Sequence, residues 1–144
     1  MTYRIMGETD IPSVIPLYIE YYNDHEGDNW TEETTRKRIH QVITREDAYC
    51  LLMEDGNLPV GFIMGYFEQY DDCVAYDLVE IVIASAYQHK GYGTRFLAEL
   101  ESRVKEMGAA LIQLTSVNDE AHNRFYEGLQ FKPVANLVLK TKWL

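Results

Sequence analysis

The order of hydrophobic and polar positions along the chain predicts a mixture of strands and helices. Residues 2–6 form a strand-like run, and two helices are expected over about 11–22 and from Thr31 onwards. From residue 48 the apolar positions fall in shorter runs, which predict a hairpin turning at Gly56-Asn57 and then a strand that ends at Ile83. The first half of the chain is therefore predicted to contain one strand, two helices and three further strands.

A helical period returns in the second half of the chain. A long helix is expected from about Gly91 to Met107, because five apolar residues fall on one face. These are Phe96, Leu97, Leu100, Val104 and Met107. A strand over 109–117, a short helix capped by Asn118 or Asp119, and one or two strands in the tail follow. Since no repeat or linker interrupts the pattern, it predicts one α/β domain over residues 1–144, built around a central sheet.

The charge and the hydropathy of the chain limit the classes of partner that can be expected. The net charge is −10, and no basic run is present, so a nucleic-acid partner is not expected. No apolar stretch reaches the length of a membrane helix and the N-terminus lacks an apolar leader, so a cytoplasmic protein without a membrane partner is expected. Two acidic segments, 1–30 and 65–80, hold the imbalance. They form either a solvated surface or a field that attracts a cationic substrate.

The cysteines and histidines give no metal or disulfide signature. Cys50 and Cys73 lie far apart and outside any CxxC pair, so each is interpreted as a small apolar residue. The acidic residues around His25 do not have metal-ligand spacing. No metal is therefore expected.

The junction after Ile83 carries the clearest chemical signal. A glycine-rich turn opens the long helix there, with the sequence Gln88-His89-Lys90-Gly91-Tyr92-Gly93-Thr94. Free amides at a helix N-terminus suit a phosphate, and glycines let the backbone approach it closely. The turn matches neither GxxxxGK[ST] nor the complete dinucleotide fingerprint. It is either a phosphate site of another kind or a turn that only starts a helix.

Two blocks of sequence resemble the GNAT family of N-acetyltransferases. Gln88-x-x-Gly91-x-Gly93 is similar to the family motif [Q/R]xxGx[G/A]. Residues 118–131 are similar to the pattern NxxAxxxYxxxGF, with a variant spacing before Tyr126 and with Gln130 in place of the usual glycine. The resemblance implies a GNAT fold, with a mixed sheet of about six or seven strands, four helices, and a splay at the coenzyme-binding strands.

The resemblance also implies acetyl-CoA as co-substrate and an amine that attacks the thioester directly in a ternary complex. The implied coenzyme-binding residues are Ile81, Val82 and Ile83 for the pantetheine arm, Gln88, His89, Lys90, Gly91, Tyr92, Gly93 and Thr94 for the pyrophosphate, and Asn118. Tyr126 is implied as the general acid for the departing thiolate, the alternative being one more packing tyrosine.

The acceptor amine has to lose a proton before it attacks, because an alkylammonium has a pKa of ~10.4. Glu80 is the candidate base, since it lies in the apolar run that leads to Ile83. Asp77 is the reserve candidate and His122 a weaker one. The alternative for Glu80 is a salt-bridged or edge-facing carboxylate.

In the GNAT family, which the sequence resembles, the first two helices and their loop contribute to the acceptor pocket. Here that segment offers rings and carboxylates, and the candidate acceptor-binding residues are Tyr22, Glu26, Asp28 and Trp30. Such a pocket suits a cationic amine: a polyamine, an aminoglycoside, or a lysine or N-terminal amine. The other reading of the chain is a non-catalytic module that binds acyl-CoA. A homodimer through the C-terminal strands is also expected from the resemblance.

Overall fold

The computed structural model describes residues 1–144, which form two compact units, 1–114 and 115–144. The single domain expected over the whole chain stays a prediction. Unit 1–114 contains five strands and three α-helices. In chain order these are β1 (Thr2–Ile5), α1 (Ile11–Ile19), α2 (Glu32–Ile43), β2 (Leu51–Asp55), β3 (Leu58–Gln69), β4 (Val74–Ile83), α3 (Tyr92–Glu106) and β5 (Leu111–Gln113).

The strands form one mixed sheet in the order β1-β2-β3-β4-β5. The first three pairings are antiparallel, and β4 pairs with β5 in parallel. The parallel pairing covers only Ala75–Asp77 against Leu111–Gln113. The splay expected at the coenzyme-binding strands is therefore present in this unit, because β4 continues for six residues beyond its pairing with β5.

Helices cover both faces of the sheet. Side chains alternate between the two faces along each strand, so apolar residues on both faces are available to pack against helices. On one face, Leu52, Phe62 and Val82 pack with α1 and α2 in a buried cluster that includes Val14 and Ile39. On the other face lie Tyr3 and its strand partner Met53. The ring of α3 residue Phe96 stacks on Tyr3 at 5.3 Å between centroids, which places α3 on that face.

A bulge interrupts the pairing of β3 with β4 beside the candidate base. Met64 pairs with Glu80 and Gly65 with Leu78, so Val79 is the extra residue. A side chain at Gly65 would meet the Asp77 carbonyl oxygen at 2.2 Å, so glycine is required at this position. Bulges of this kind redirect side chains and are common beside active sites.

The first helix begins at residue 11 as expected, but it ends earlier than residue 22, and the cap that Asp10 offers in the sequence is absent. Asp10 does not cap α1, because its carboxylate accepts from Arg4 and from the Gly7 amide instead. The helix continues past Pro16 and changes at Glu20 into a π-helix, Glu20–His25. The expected start of the second helix at Thr31 is confirmed: Thr31 is the residue before α2, and its hydroxyl accepts from the Thr34 amide.

Unit 115–144 contains one helix, α4 (Glu120–Gly128). Asp119 caps it by accepting from the His122 amide at 2.8 Å. Gln130 follows in a left-handed conformation with φ 69°, which is the region that favours glycine. No strand forms over 131–144, so the strands expected in the tail are absent and the sheet has five strands rather than six or seven. None of the helices combines the length and apolar character needed to cross a membrane.

Candidate active site

The edge of β4 that faces away from β3 is open between Leu78 and Ile83. The Ala84 amide donates to the Val60 carbonyl, so by alternation the backbone of Val82 also faces β3. Ile81 and Ile83 therefore direct their backbone amides and carbonyls to the open edge. Of the three strand residues expected to bind the pantetheine arm, these two have the required orientation.

The glycine-rich turn lies directly beyond this edge. Gln88 donates from its side-chain amide to the Ile83 carbonyl at 2.9 Å, which ties the turn to the end of β4. Gly91 is the residue before α3 and has φ 83°, a left-handed conformation. No side chain caps α3, so the amides of Tyr92, Gly93 and Thr94 have no acceptor within the helix.

Positive side chains and rings surround the same turn. Lys90 donates to the Ala86 carbonyl at 2.9 Å, and the Arg95 guanidinium lies 4.6 Å from the centre of the Tyr92 ring. His89 is exposed, with φ 59°. Free amides, a helix dipole and basic side chains at one point form a suitable site for phosphate groups.

Glu80 is held by three donors on the face that carries α1 and α2. Tyr18 donates to Oε1 at 3.2 Å, Arg38 donates to the same oxygen at 3.2 Å, and Tyr22 donates to Oε2. The carboxylate is 10% exposed and the Arg38 side chain 39%. Burial, followed by the Glu80 charge, raises the pKa of Tyr22 well above its usual value, so this phenol stays protonated.

The candidate acceptor-binding residues separate into two groups. Tyr22 and Trp30 both contact Tyr18, with ring centroids at 4.6 and 5.0 Å, and Tyr22 also donates to Glu80. Trp30 is fixed by two hydrogen bonds between its backbone and the Asn23 side chain. Glu26 and Asp28 are exposed on the loop between them.

Ser85 links the loop before the glycine-rich turn to the π-helix. Its amide donates to Glu20 at 3.0 Å, and its hydroxyl lies 3.1 Å from His25 Nε2. Both partners belong to the π-helix, and Ser85 lies three residues before Gln88. The loop that leads into the phosphate turn is thereby anchored to the end of the first helix.

The reserve base, Asp77, lies on the same face of β4, nearer the pairing with β5. Its Oδ1 accepts from the Gln113 amide at 2.8 Å. Burial, then the neighbouring Glu68 carboxyl, raises the pKa of Asp77 to about 6. Cys50 is buried, and burial raises the pKa of its thiol to about 11, which makes it a poor nucleophile at neutral pH.

Unit 115–144 carries the remaining candidates. Asn118 accepts from the Asn123 side chain at 3.0 Å, immediately before α4. Tyr126 is half-buried on α4, between the rings of Phe125 and Phe131 at 5.1 and 5.6 Å. His122 pairs with Asp119 at 2.7 Å through Nδ1.

Two residues of the site, Arg38 and Ser85, were missed by the sequence analysis, and Tyr18 was expected in the acceptor segment without a link to Glu80. Arg38 and Tyr18 reach Glu80 from helices that are 42 and 62 positions away in the chain. A basic residue in a helix gives no signal of its own, because most such residues face solvent. Only the Tyr18 and Tyr22 spacing of four, which places both rings on one helix face, could have suggested a shared partner.

Comparisons with known proteins agree on the class. Residues 11–131 match the Acetyltransferase (GNAT) family. The chain therefore belongs to the GNAT acetyltransferase family, and its fold is that of an acetyltransferase domain. A comparison with curated protein sequences finds no match.

Several solved structures are similar in fold. A GNAT family acetyltransferase from Staphylococcus aureus is 24% identical with a TM-score of 0.71, over 99% of this chain and 98% of that one. An aminoglycoside N-acetyltransferase in complex with CoA is 12% identical with a TM-score of 0.74, over 98% and 93%. A ribosomal-protein-alanine N-acetyltransferase from Brucella melitensis biovar Abortus is 14% identical with a TM-score of 0.75, over the whole of both chains. At these identities the likeness supports the fold.

Proposed function

We propose that the protein transfers an acetyl group from acetyl-CoA to a primary amine, by direct attack of the amine in a ternary complex. The observation that carries this proposal is the continuity of one strand. The open edge of β4 leads directly into the glycine-rich turn, and the same strand presents Glu80 on the α1 and α2 face. An extended thioester cofactor with phosphates at one end fits this arrangement, with its arm along the open edge of β4 and its phosphates at the glycine-rich turn.

The residues present fit coenzyme A. The backbone of Ile81 and the amide of Ile83 face the open edge and could pair with a pantetheine arm as a further strand would, while the Ile83 carbonyl already accepts from Gln88. The amides of Tyr92, Gly93 and Thr94 and the side chains of Lys90 and Arg95 would hold the phosphates. Bound acetyl-CoA supplies an acetyl group activated as a thioester. An Ile81 or Ile83 amide is suited to donate to the thioester oxygen as negative charge develops there.

Glu80 and Tyr126 are proposed to handle the protons. Glu80 accepts a proton from the acceptor ammonium, directly or through water, while Tyr18, Tyr22 and Arg38 hold the carboxylate in one orientation. Tyr126 donates a proton to the departing thiolate, as the family resemblance implies. No covalent enzyme intermediate is required, which agrees with the buried and weakly acidic thiol of Cys50.

The test is thiol release from acetyl-CoA across a panel of amines: polyamines, aminoglycosides, amino acids and lysine peptides. Tyr126→Phe is expected to reduce kcat about 100-fold, the usual contribution of a general acid, and to leave the affinity for CoA unchanged. Tyr3→Phe removes the same hydroxyl from a ring that packs on Phe96 and is the control, with wild-type rates expected.

Two results would contradict the proposal. Wild-type turnover of the Tyr126→Phe variant would show that Tyr126 is not the general acid. Tight binding of acetyl-CoA by calorimetry, without thiol release for any amine, would favour the non-catalytic acyl-CoA-binding module.

A further inference from the structure

The acceptor side of the site contains a positive group next to a negative one. Arg38 Nη2 lies 3.2 Å from Glu80 Oε1, and both reach the same face of the sheet, from α2 and β4 respectively. A site for a simple ammonium would be expected to present carboxylates and rings alone, because an adjacent guanidinium repels a cation. The chain as a whole is acidic, but next to Glu80 it also presents the positive charge of Arg38.

Arg38 has donors to spare. A guanidinium has five N–H groups, and one of those of Arg38 donates to Glu80. The side chain is 39% exposed, so its outer edge is open to a ligand, whereas Glu80 is 10% exposed. Arginine is well suited to a carboxylate, because its planar edge can donate two parallel hydrogen bonds.

The spacing of the two charges matches one kind of small molecule. In an α-amino acid the ammonium nitrogen and the nearer carboxylate oxygen lie about 3 Å apart, since only three bonds (N–Cα, Cα–C and C–O) separate them. A pair of opposite charges 3.2 Å apart can thus face a zwitterion, with the carboxylate toward Arg38 and the amine toward Glu80. The rings of Tyr18 and Tyr22, which donate to Glu80, and of Trp30, which packs on Tyr18, offer apolar surface for the rest of the acceptor.

We propose that Arg38 determines acceptor specificity by binding the carboxylate of an amino acid whose α-amine is acetylated. The inference rests on the proposed acetyl transfer and narrows its substrate from amines in general to α-amino acids. The acceptor carboxylate would bind the N–H groups of Arg38 that Glu80 does not use, so that Arg38 keeps its hold on Glu80 and the α-amine lies next to the Glu80 carboxylate.

The experiment compares each amino acid with its carboxamide, which keeps the amine and the side chain and removes the negative charge. Across the panel of natural amino acids, the preferred acid is expected to exceed its amide about tenfold or more in kcat/KM, the range of a charge-assisted hydrogen bond. In Arg38→Gln this preference is expected to fall below about threefold, and Arg38→Lys should restore part of it, because the charge remains without the planar fork.

Arg36→Gln is the matched control. Arg36 lies on the same helix and pairs with Glu32 at 3.2 Å, so its loss should leave the acid-to-amide preference unchanged. Thermal unfolding of the variants separates specificity from folding, since a purely structural Arg38 would lower Tm without altering the preference ratio. Such a result would overturn the proposal.

The outcomes are distinguishable from failure of the proposed function. Acetyl transfer to polyamines or to amino acid amides as fast as to the free acids would refute the role of Arg38 and leave the acetyltransferase intact. Absence of transfer to every amine would refute both.

Discussion

The Asp77 carboxyl lies in an environment that opposes its charge. One oxygen accepts from Gln113, and the other is buried without a hydrogen-bond partner. The Glu68 carboxyl is next to it, and the Gln113 amide also donates to the Tyr70 oxygen and to Glu68. Arg45, over the Tyr66 ring, is a nearby positive charge that acts in the opposite direction. The net effect is a pKa of about 6, raised mainly by burial and then by Glu68.

This raised pKa predicts a pH-dependent gain in stability for Asp77→Asn. In an unfolded chain the carboxyl has a pKa of about 3.9, so between that value and about 6 the folded state binds more protons than the unfolded state. The cost of ionising Asp77 is therefore absent below the unfolded pKa and complete above the folded one. We expect Asp77→Asn to raise the free energy of unfolding at pH 8 by about 1 kcal/mol, a value reduced for solvent screening, and to change little at pH 4. Urea denaturation at the two pH values measures the difference.

Asp71→Asn serves as the control, because Asp71 is exposed in the turn before β4 and the same change there should have no pH-dependent effect. An equal effect of Asp77→Asn at pH 4 and pH 8 would show that the amide acts through packing and not through charge.

The burial of Glu80 could be predicted from the sequence, but its hydrogen-bond partners could not. Its position in an apolar run predicted a partly buried carboxylate, and the structure places it 10% exposed on the expected strand. The run also suggested an apolar environment, whereas Tyr18, Tyr22 and Arg38 surround the carboxylate with donors. Those contacts depend on how two helices pack on the sheet, which a local pattern does not specify.

At the scale of elements, β4 and α3 were the most predictable parts of the chain. The apolar run ending at Ile83 and the helical period from Phe96 to Val104 each identify one element, and both are present with bounds within one residue of those expected. The turn between them combines two left-handed residues, His89 and Gly91. The φ of 83° at Gly91 favours glycine. No atom lies within 4 Å of the place of its Cβ, so the approach to the free amides of α3 is open there.

Gly91→Glu is therefore expected to abolish coenzyme binding. The new side chain has open space in the free protein, but it would occupy the approach to the α3 amides and add a negative charge where phosphates bind. We expect the Kd for CoA, measured by calorimetry, to rise at least about 100-fold, and stability to fall by about 1 kcal/mol because of the left-handed conformation.

Gly108→Glu is the matched control at the opposite end of the same helix. Gly108 has φ 105° and equally open surroundings, so the variant has a similar backbone cost and the same added charge without affecting the turn. If Gly108→Glu weakens CoA binding as much as Gly91→Glu does, or if neither weakens it, the assignment of the phosphate site is wrong.

At the scale of the whole molecule, the sequence predicted the tail less well than the rest. Residues 131–144 contain an apolar run that favours a strand, yet no strand forms there, and β5 is three residues long where nine were expected. A strand forms only where its backbone groups find hydrogen-bond partners on a neighbouring strand. The apolar pattern indicates only that some side chains favour burial, and it does not supply such a neighbour. The tail instead exposes a series of large apolar side chains. They are Val134, Leu137, Val138, Leu139, Trp143 and Leu144.

We predict that this exposed tail mediates the homodimer expected for the chain, because large apolar side chains concentrated in an exposed segment mark an interaction site. Leu137 and Leu139 are 70% and 80% exposed. Their joint replacement, Leu137→Lys with Leu139→Lys, should convert a dimer into a monomer in size-exclusion chromatography with light scattering. Met107→Lys places the same charge at another exposed apolar residue, 54% exposed at the end of α3, and should leave the dimer intact. A wild-type chain that stays monomeric at every concentration, or a dimer that survives the double substitution, would contradict the prediction.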